Sequence, residues 1–314
     1  MPYPDFDSAD SLDNRLTLEE LDYDKNKQKK EFDNHFSSLT DEQRLTKNMR
    51  LTVGGALHDV EQTKVFAQWL LDLGEGNIGG SNDGEAIIEI PDDLLIMDSN
   101  DPVSDLIDFV YPSIIQNFSV ATFFQERAIL APTNEVVDEI NDRLLSSFPG
   151  DENEYLSSDS LSHHRLVLKV GVPVMLLRNI DKRNGFCNGT RLRVLMLGSR
   201  VIEAEVISGS NMGKRTFIPR IALTPSDKKI PFKFKRRQFT IVVCFTMTIN
   251  KSQGQSLSKV DLFLRQPVFS LGQLYVALSR VKSRDGLKLV IVDKDGKLMN
   301  TTLNVVYKDV FRDL

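Results

Sequence analysis

Long apolar runs are missing from this chain. No stretch reaches the roughly 18–20 residues that a membrane-spanning helix needs, so a helical membrane protein is not expected. Cysteine is scarce. Cys187 and Cys244 are the only two, far apart and without a CxxC partner. That excludes a disulfide framework and a thiolate metal site, and both read as reduced thiols of an intracellular protein. Histidine is almost as rare, with four in all. The pair His163–His164 has no cysteine or carboxylate at ligand spacing and reads as an exposed loop. No Ser/His/Asp or Cys/His constellation is present. The opening stretch, MPYPDFDSADSLDNR, is acidic and polar, which fits neither a secretory signal nor a transit peptide.

What is there is a globular composition. Hydrophobic residues make up 41% of 314, enough for two domains or for one domain with a large insertion. The net charge of −5 speaks against nucleic acid, but its distribution does not. Between Leu161 and Lys251 there are 18 Lys and Arg against 4 Asp and Glu. A basic segment inside an acidic protein points to a local polyanion-binding surface. A solvated, basic β-rich face is the alternative.

Residues 1–44 are dominated by Asp, Glu, Lys and Ser and are expected to be disordered or loosely helical. A helix should follow, with Asp59 as cap and Gln62 three residues on. Val65, Phe66, Trp69, Leu70 and Leu73 share its inner face, and Gly74 stops it. Residues 76–84 read as a loop, and Asp92–Asp93 as solvated acidic loop residues. RAILAPTNEVVDEINDRLLSSF, from Arg127, reads as strand, turn and helix, with Val136, Val137, Ile140 and Leu144 inward. From about His164 short strands separated by Gly, Asn and Pro suggest a small antiparallel β-barrel. The α/β pattern returns with one long strand over 239–249, a polar turn, a helix and the strand LKLVIVD.

The sharpest signal is FTMTINKSQGQSL, Phe245–Leu257. An apolar strand ends in Thr248, Asn250, Lys251, Ser252, Gln253 and Gly254, where open α/β sheets bind ligands. Hydroxyls, amides and backbone N–H groups there can hold phosphate oxygens, and glycine lets the backbone come close. An ordinary polar turn is the bland reading. The second signal is FSLGQLYVALSRV, Phe269–Val281. Ser270 and Gln273 form a capping box, and Leu271, Leu274, Tyr275 and Leu278 follow the spacing of one buried face. Arg280 falls off that stripe. It suits a phosphate clamp, although most such arginines are surface residues.

Together TINKSQG and GQLYVALSRV resemble motifs five and six of superfamily-one helicases. ILAPTNEVVDEIN, LKVGVPVMLLRNID, FCNGTRL and IPRIAL, in the same order, narrow the resemblance to ATP-dependent DNA helicases of the PIF (petite integration frequency) type, over about Leu45–Asp293. The resemblance implies roles. Arg280 matches the arginine that touches the ATP γ-phosphate, and Arg50 in LTKNMRL looks like a second nucleotide-reaching arginine. Gly254 and Gln255 sit where the family's motif five meets nucleotide and strand. Thr248, Asn250, Lys251, Ser252 and Gln253 fall at DNA contacts, with Asn250 where many relatives have His. It also implies single-stranded DNA as partner, ATP and Mg²⁺ as cofactors of the complete enzyme, 5′-to-3′ movement, nuclear location, and work in DNA repair, recombination and telomere maintenance.

The departures carry equal weight. A Walker A loop needs GxxxxGKS/T, whose backbone N–H groups, lysine and hydroxyl hold phosphates and Mg²⁺. None is present. GSNMGKRT, Gly209–Thr216, is one residue short, has Arg215 in place of the hydroxyl, and lies between strands. No Walker B pair precedes Leu45. The expected fold is therefore α/β. A second RecA-like domain, of the P-loop-NTPase type but without its P-loop partner, spans 45–155 and 238–295. An inserted β-barrel covers 156–237, and a tail covers 296–314. The expected function is the C-terminal half of a helicase that binds no cofactor tightly and hydrolyses no ATP alone, its first RecA-like domain coming in cis or in trans. A non-catalytic single-strand-binding remnant, or a subunit completing another protein's ATP site, is the alternative.

Overall fold

The computed structural model describes residues 57–79, 84–120, 122–156, 165–209, 211–223 and 236–306. The acidic segment 1–44, Arg50 and His163–His164 lie outside them. Among the described residues no helix is long and apolar enough to cross a membrane. Neither cysteine is in a disulfide, and among the described residues no group of His, Cys, Asp or Glu could hold a metal ion.

The N-terminal elements are α1 (Leu57–Gly74), β1 (Glu85–Glu89), α2 (Pro102–Val110), α3 (Ile114–Asn117), β2 (Arg127–Ala131) and α4 (Asn134–Ser147). A run of strands follows: β3 (Asn153–Leu156), β4 (Arg165–Leu168), β5 (Pro173–Leu176), β6 (Arg191–Leu197), β7 (Val201–Val206), β8 (Arg215–Pro219), β9 (Ile221–Leu223), β10 (Arg236–Gln238), β11 (Ile241–Val243) and β12 (Thr246–Thr248). The chain closes with β13 (Lys259–Leu264), α5 (Gln273–Leu278), β14 (Leu287–Ile291) and β15 (Thr301–Val305). Two compact units result. Among the described residues, one holds 57–109, Leu130–Val136 and 248–306, and the other holds those of Val110–Ile129 and Val137–Met247.

The first unit is α/β. The ends of β12 and β2 join β13 and β14 in a four-stranded sheet of that order. β13 and β14 are parallel, with Val260 opposite Leu287 and Leu264 opposite Ile291. Parallel neighbours need a crossover, and α5 lies on it. β13 is almost wholly buried, as a strand covered on both faces should be. α1 packs on α5. The approach is close at Gly74, where a β-carbon would come within 3.0 Å of the Tyr275 ring. Phe66, Leu70 and Leu73 of α1 are buried. Val65 is 61% exposed and Trp69 half-buried against Phe66, so the inner stripe is narrower than the spacing suggests. The helix also starts at Leu57, ahead of the expected cap at Asp59. β15, in the stretch expected as a tail, pairs antiparallel with β1.

The second unit is mostly antiparallel. Its main sheet has the order β11-β5-β6-β7-β8, with small sheets β3-β4 and β9-β10. The expected barrel is here an antiparallel sheet. Among the described residues its outer strands, β11 and β8, do not pair with one another. GSNMGKRT lies on the turn between β7 and β8, where Gly213 N–H reaches Val206 O at 2.9 Å. A strand follows it, not the helix N-terminus that a phosphate loop needs.

The long strand expected over 239–249 is broken into β11 and β12, and buried side chains explain the break. The Asn141 amide donates to Val243 O and Thr246 O, both at 3.2 Å, and accepts from Thr246 N–H at 2.8 Å. Arg191, fully buried, donates to Cys244 O at 3.4 Å and to Arg127 O at 3.0 Å. The Tyr111 hydroxyl donates to Phe245 O at 2.6 Å, and burial pushes this phenol's pKa far up. Four successive carbonyls thus bond to side chains, which buried backbone polar groups require when a ladder lapses. Asn141→Ala leaves three such groups unpaired. It should cost about 2–4 kcal/mol, at roughly 1 kcal/mol or more per orphaned group. Urea unfolding checks this, and a loss below about 1 kcal/mol would contradict the assigned role.

Candidate nucleotide and nucleic-acid site

The described candidate site residues, Thr248, Asn250–Gln255 and Arg280, all fall in the first unit. β12 ends at Thr248, which is buried, its hydroxyl without a hydrogen-bond partner among the described residues. Ile249 N–H then bonds Ala131 O at 3.1 Å, and the chain turns through a 3-10 segment, Asn250–Ser252. The turn closes on itself. Ser252 is buried, and both its N–H (3.1 Å) and its hydroxyl (2.6 Å) reach Ile249 O. Gln253 N–H reaches Asn250 O at 3.3 Å, and Gln255 N–H reaches Ser252 O at 3.0 Å. Gly254 sits at φ +80°, with nothing within 4 Å of where a β-carbon would stand. A side chain would be strained there, and glycine leaves the backbone open.

The turn presents its polar groups unequally. Lys251, Gln253 and Gly254 are exposed, while Asn250 and Gln255 are half-buried. An ammonium, an amide and open backbone face outward together, a set that suits phosphate oxygens. The hydroxyls of Thr248 and Ser252 point to a different use. The second is spent on the turn's own carbonyl, so it shapes the loop rather than facing outward.

α5 begins later than its capping box implies. Its N-cap is Gly272 at φ 65°, with no side-chain cap bond. Gln273 instead accepts the Phe269 N–H through its side-chain oxygen at 3.0 Å. Leu274 and Leu278 are fully buried, and Leu271 and Tyr275 only half-buried. Arg280 follows the helix and is only 6% exposed. That overturns the surface reading for this arginine. Its Nε donates to Val276 O at 2.7 Å, and Nη2 donates to Ser279 Oγ at 2.9 Å.

The two motifs meet through Leu257. Its N–H bonds Arg280 O at 2.9 Å, and its carbonyl accepts the Lys282 N–H at 2.9 Å. This short parallel bridge ties the stretch three residues past Gly254 to the stretch carrying Arg280. α5 also packs against the 3-10 turn. Arg50, the other arginine of interest, lies outside the described residues.

Two acidic residues behave unexpectedly. Asp93 is held by a two-pronged bond from Arg284, at 2.8 Å on both oxygens. Lys288 Nζ donates to its backbone carbonyl at 2.6 Å. The guanidinium holds the Asp93 carboxyl below its usual pKa, so Asp93 is no simple solvated loop residue. Nothing local in the sequence signals a pair 191 positions apart. Asp261, on β13, is fully buried with both oxygens unpaired among the described residues, and burial pushes its pKa well above the usual range. A lone Asp in an apolar strand was the available signal.

Residues 153–197 match the family model for the 2B domain of the DNA helicase Pif1. The chain is 30% identical over 181 residues to the ATP-dependent DNA helicase PIF1 of Xenopus laevis, covering 52% of this chain and 27% of that protein. It is 31% identical over 156 residues to ATP-dependent DNA helicase Pif1 of Bdellovibrio bacteriovorus, covering 49% and 34%. The chain thus spans about a third or less of the length of these relatives. The crystal structure of the Pif1 helicase from Candida albicans superposes with a TM-score of 0.52 at 22% identity, over 82% of this chain and 59% of that one, a likeness of fold. Sequence and fold together make this chain similar to the C-terminal portion of PIF-type ATP-dependent DNA helicases, with a RecA-like α/β architecture.

Proposed function

We propose that this chain is the C-terminal portion of an ATP-dependent, 5′-to-3′ DNA helicase, contributing nucleotide-reaching arginines and single-stranded DNA contacts. It would depend on a first RecA-like domain with Walker A, in cis or in trans. One observation carries the reading: the Leu257 bridge joins an outward-facing polar turn to a buried, oriented guanidinium within one unit. Residues 45–155 and 238–295 form the second RecA-like domain in this reading, and 156–237 the inserted accessory domain. Arg280, and Arg50 with it, reach the nucleotide, while Gly254 and Gln255 border it. Lys251, Gln253 and Asn250 take DNA phosphates, with Thr248 and Ser252 shaping the strand end and turn that carry them.

The residues fit half of an ATP site. ATP supplies the charge that develops at the γ-phosphate, and a guanidinium is suited to meet it. Phosphate cradle and Mg²⁺ ligands belong to the partner domain. The chain alone should then hydrolyse no ATP, and measurable DNA-stimulated turnover by the purified chain would refute this. The runner-up, a single-strand-binding remnant, shares the exposed turn but uses the Arg280 guanidinium only to close the end of its own helix. By the same resemblance the protein works on nuclear DNA.

DNA contact is tested directly by titrating a labelled oligo-dT against the chain over a salt series. Each phosphate neutralised on a single strand contributes about −0.7 to the slope of log affinity against log salt. Lys251→Ala should flatten the slope by about that amount and weaken binding a few-fold at low salt. An unchanged slope removes Lys251 from the contact.

A further inference from the structure

The Arg280 side chain does not extend from its helix. It folds back on the last turn of α5, and a neighbouring hydroxyl holds it there. Ser279 is fully buried. Its Oγ accepts from Arg280 Nη2 at 2.9 Å and donates to Val276 O at 3.3 Å. Val276 O also accepts from Arg280 Nε at 2.7 Å. Guanidinium, hydroxyl and carbonyl thus close a small ring of three hydrogen bonds. Val276 O is one of the carbonyls that a helix end leaves without an intrahelical partner, so these donors also terminate α5.

We infer that Ser279 is a positioning residue for Arg280, an inference that rests on the nucleotide role proposed above. A guanidinium is planar, so two fixed nitrogens define the plane of the whole group. Val276 O fixes Nε, and the Ser279 hydroxyl fixes Nη2. Without the hydroxyl Nη2 loses this anchor, and the group gains freedom to rotate about Nε. The backbone of Arg280 stays in place through its bond from Leu257. Losing the hydroxyl therefore disturbs the direction of the charge and not the position of the chain. Threonine keeps the hydroxyl; alanine nearly matches serine in size but lacks it. Electrostatic stabilisation of a transition state depends on such prior orientation, and misplacement by about 1 Å costs on the order of a hundredfold.

The test has two arms. In the chain as it stands, NMR follows solvent exchange of the Arg280 Nε–H in wild type, Ser279→Ala and Ser279→Thr. Exchange should be slow in wild type and in Ser279→Thr, and about tenfold faster in Ser279→Ala, with only a small fall in melting temperature from the lost hydroxyl. In the complete assembly with a Walker-A-bearing domain, Ser279→Ala should lower kcat roughly ten- to hundredfold with little change in KM for ATP, and threonine should restore it. Equal Nε–H exchange in wild type and Ser279→Ala overturns the positioning role whatever the turnover. Arg280→Ala serves as the separate control. If it leaves turnover intact, the nucleotide role fails. If it abolishes turnover while Ser279→Ala keeps wild-type kcat, only the positioning role fails.

Discussion

Arg280→Ala, made in the protein assembled with a Walker-A-bearing domain, should lower the kcat for ATP hydrolysis by about 10³-fold or more, the scale of an arginine that stabilises a transferring phosphoryl group. The structure supports so large an effect because this guanidinium is 6% exposed and bonded through two of its nitrogens. Electrostatic stabilisation is strongest where donors are fixed in advance and water is excluded. Binding of single-stranded DNA without nucleotide should be nearly unchanged, because the outward-facing cation of the turn is Lys251. Arg280→Lys keeps the charge but loses the planar fork, so it should recover little. Steady-state turnover and DNA titration on the same variant check both halves. Near-normal hydrolysis by Arg280→Ala would remove the arginine from the nucleotide site.

The second large effect concerns stability. Asp261 is fully buried, its oxygens find no partner among the described residues, and its nearest strand neighbour in register is Lys288. Desolvation raises its folded pKa, and Lys288 and the nearby Leu262 N–H offset this only in part. In the unfolded chain the same carboxyl releases its proton near pH 4. Above that point the folded protein holds a proton that the unfolded chain has lost. Stability should then fall as pH rises, by up to about 1.4 kcal/mol per pH unit, until the raised folded pKa is reached. Asp261→Asn removes the titration. The stability difference, variant minus wild type, should be flat well below pH 4 and grow in the variant's favour from about pH 4 toward neutral pH. Urea unfolding of both proteins from pH 4.5 to 8 measures it, and parallel curves would show that Asp261 is not held protonated.

Local patterns in the sequence carried much of the fold. α4 has its expected inner residues buried, from Val136 to Leu144, because one helical face is written within 14 residues. The alternation in β7 is equally local, with Ile202, Ala204 and Val206 buried and the residues between them less so. The candidate turn was legible for the same reason. Thr248–Gly254 is one contiguous stretch whose polar residues sit at the end of an apolar strand. What failed to show was long-range. The 239–249 run has the apolar character of a single strand, but Asn141, Arg191 and Tyr111, distant in sequence, bond its middle carbonyls and split it. β15 lay in an apparent tail because its partner, β1, is over 200 positions away. Arg284 could not be matched to Asp93 for the same reason.

By itself the sequence determined the α/β class, the polar turn, the short helix after it and the helicase resemblance, because periodicity and contiguous motifs are properties of neighbouring residues. Only the tertiary structure decided that Arg280 is buried and held against its own helix end, that the Leu257 bridge joins it to the turn, and that Asp261 is buried in the sheet. Those outcomes depend on which distant groups come within bonding distance and on how much water is left around them, and spacing along a chain specifies neither.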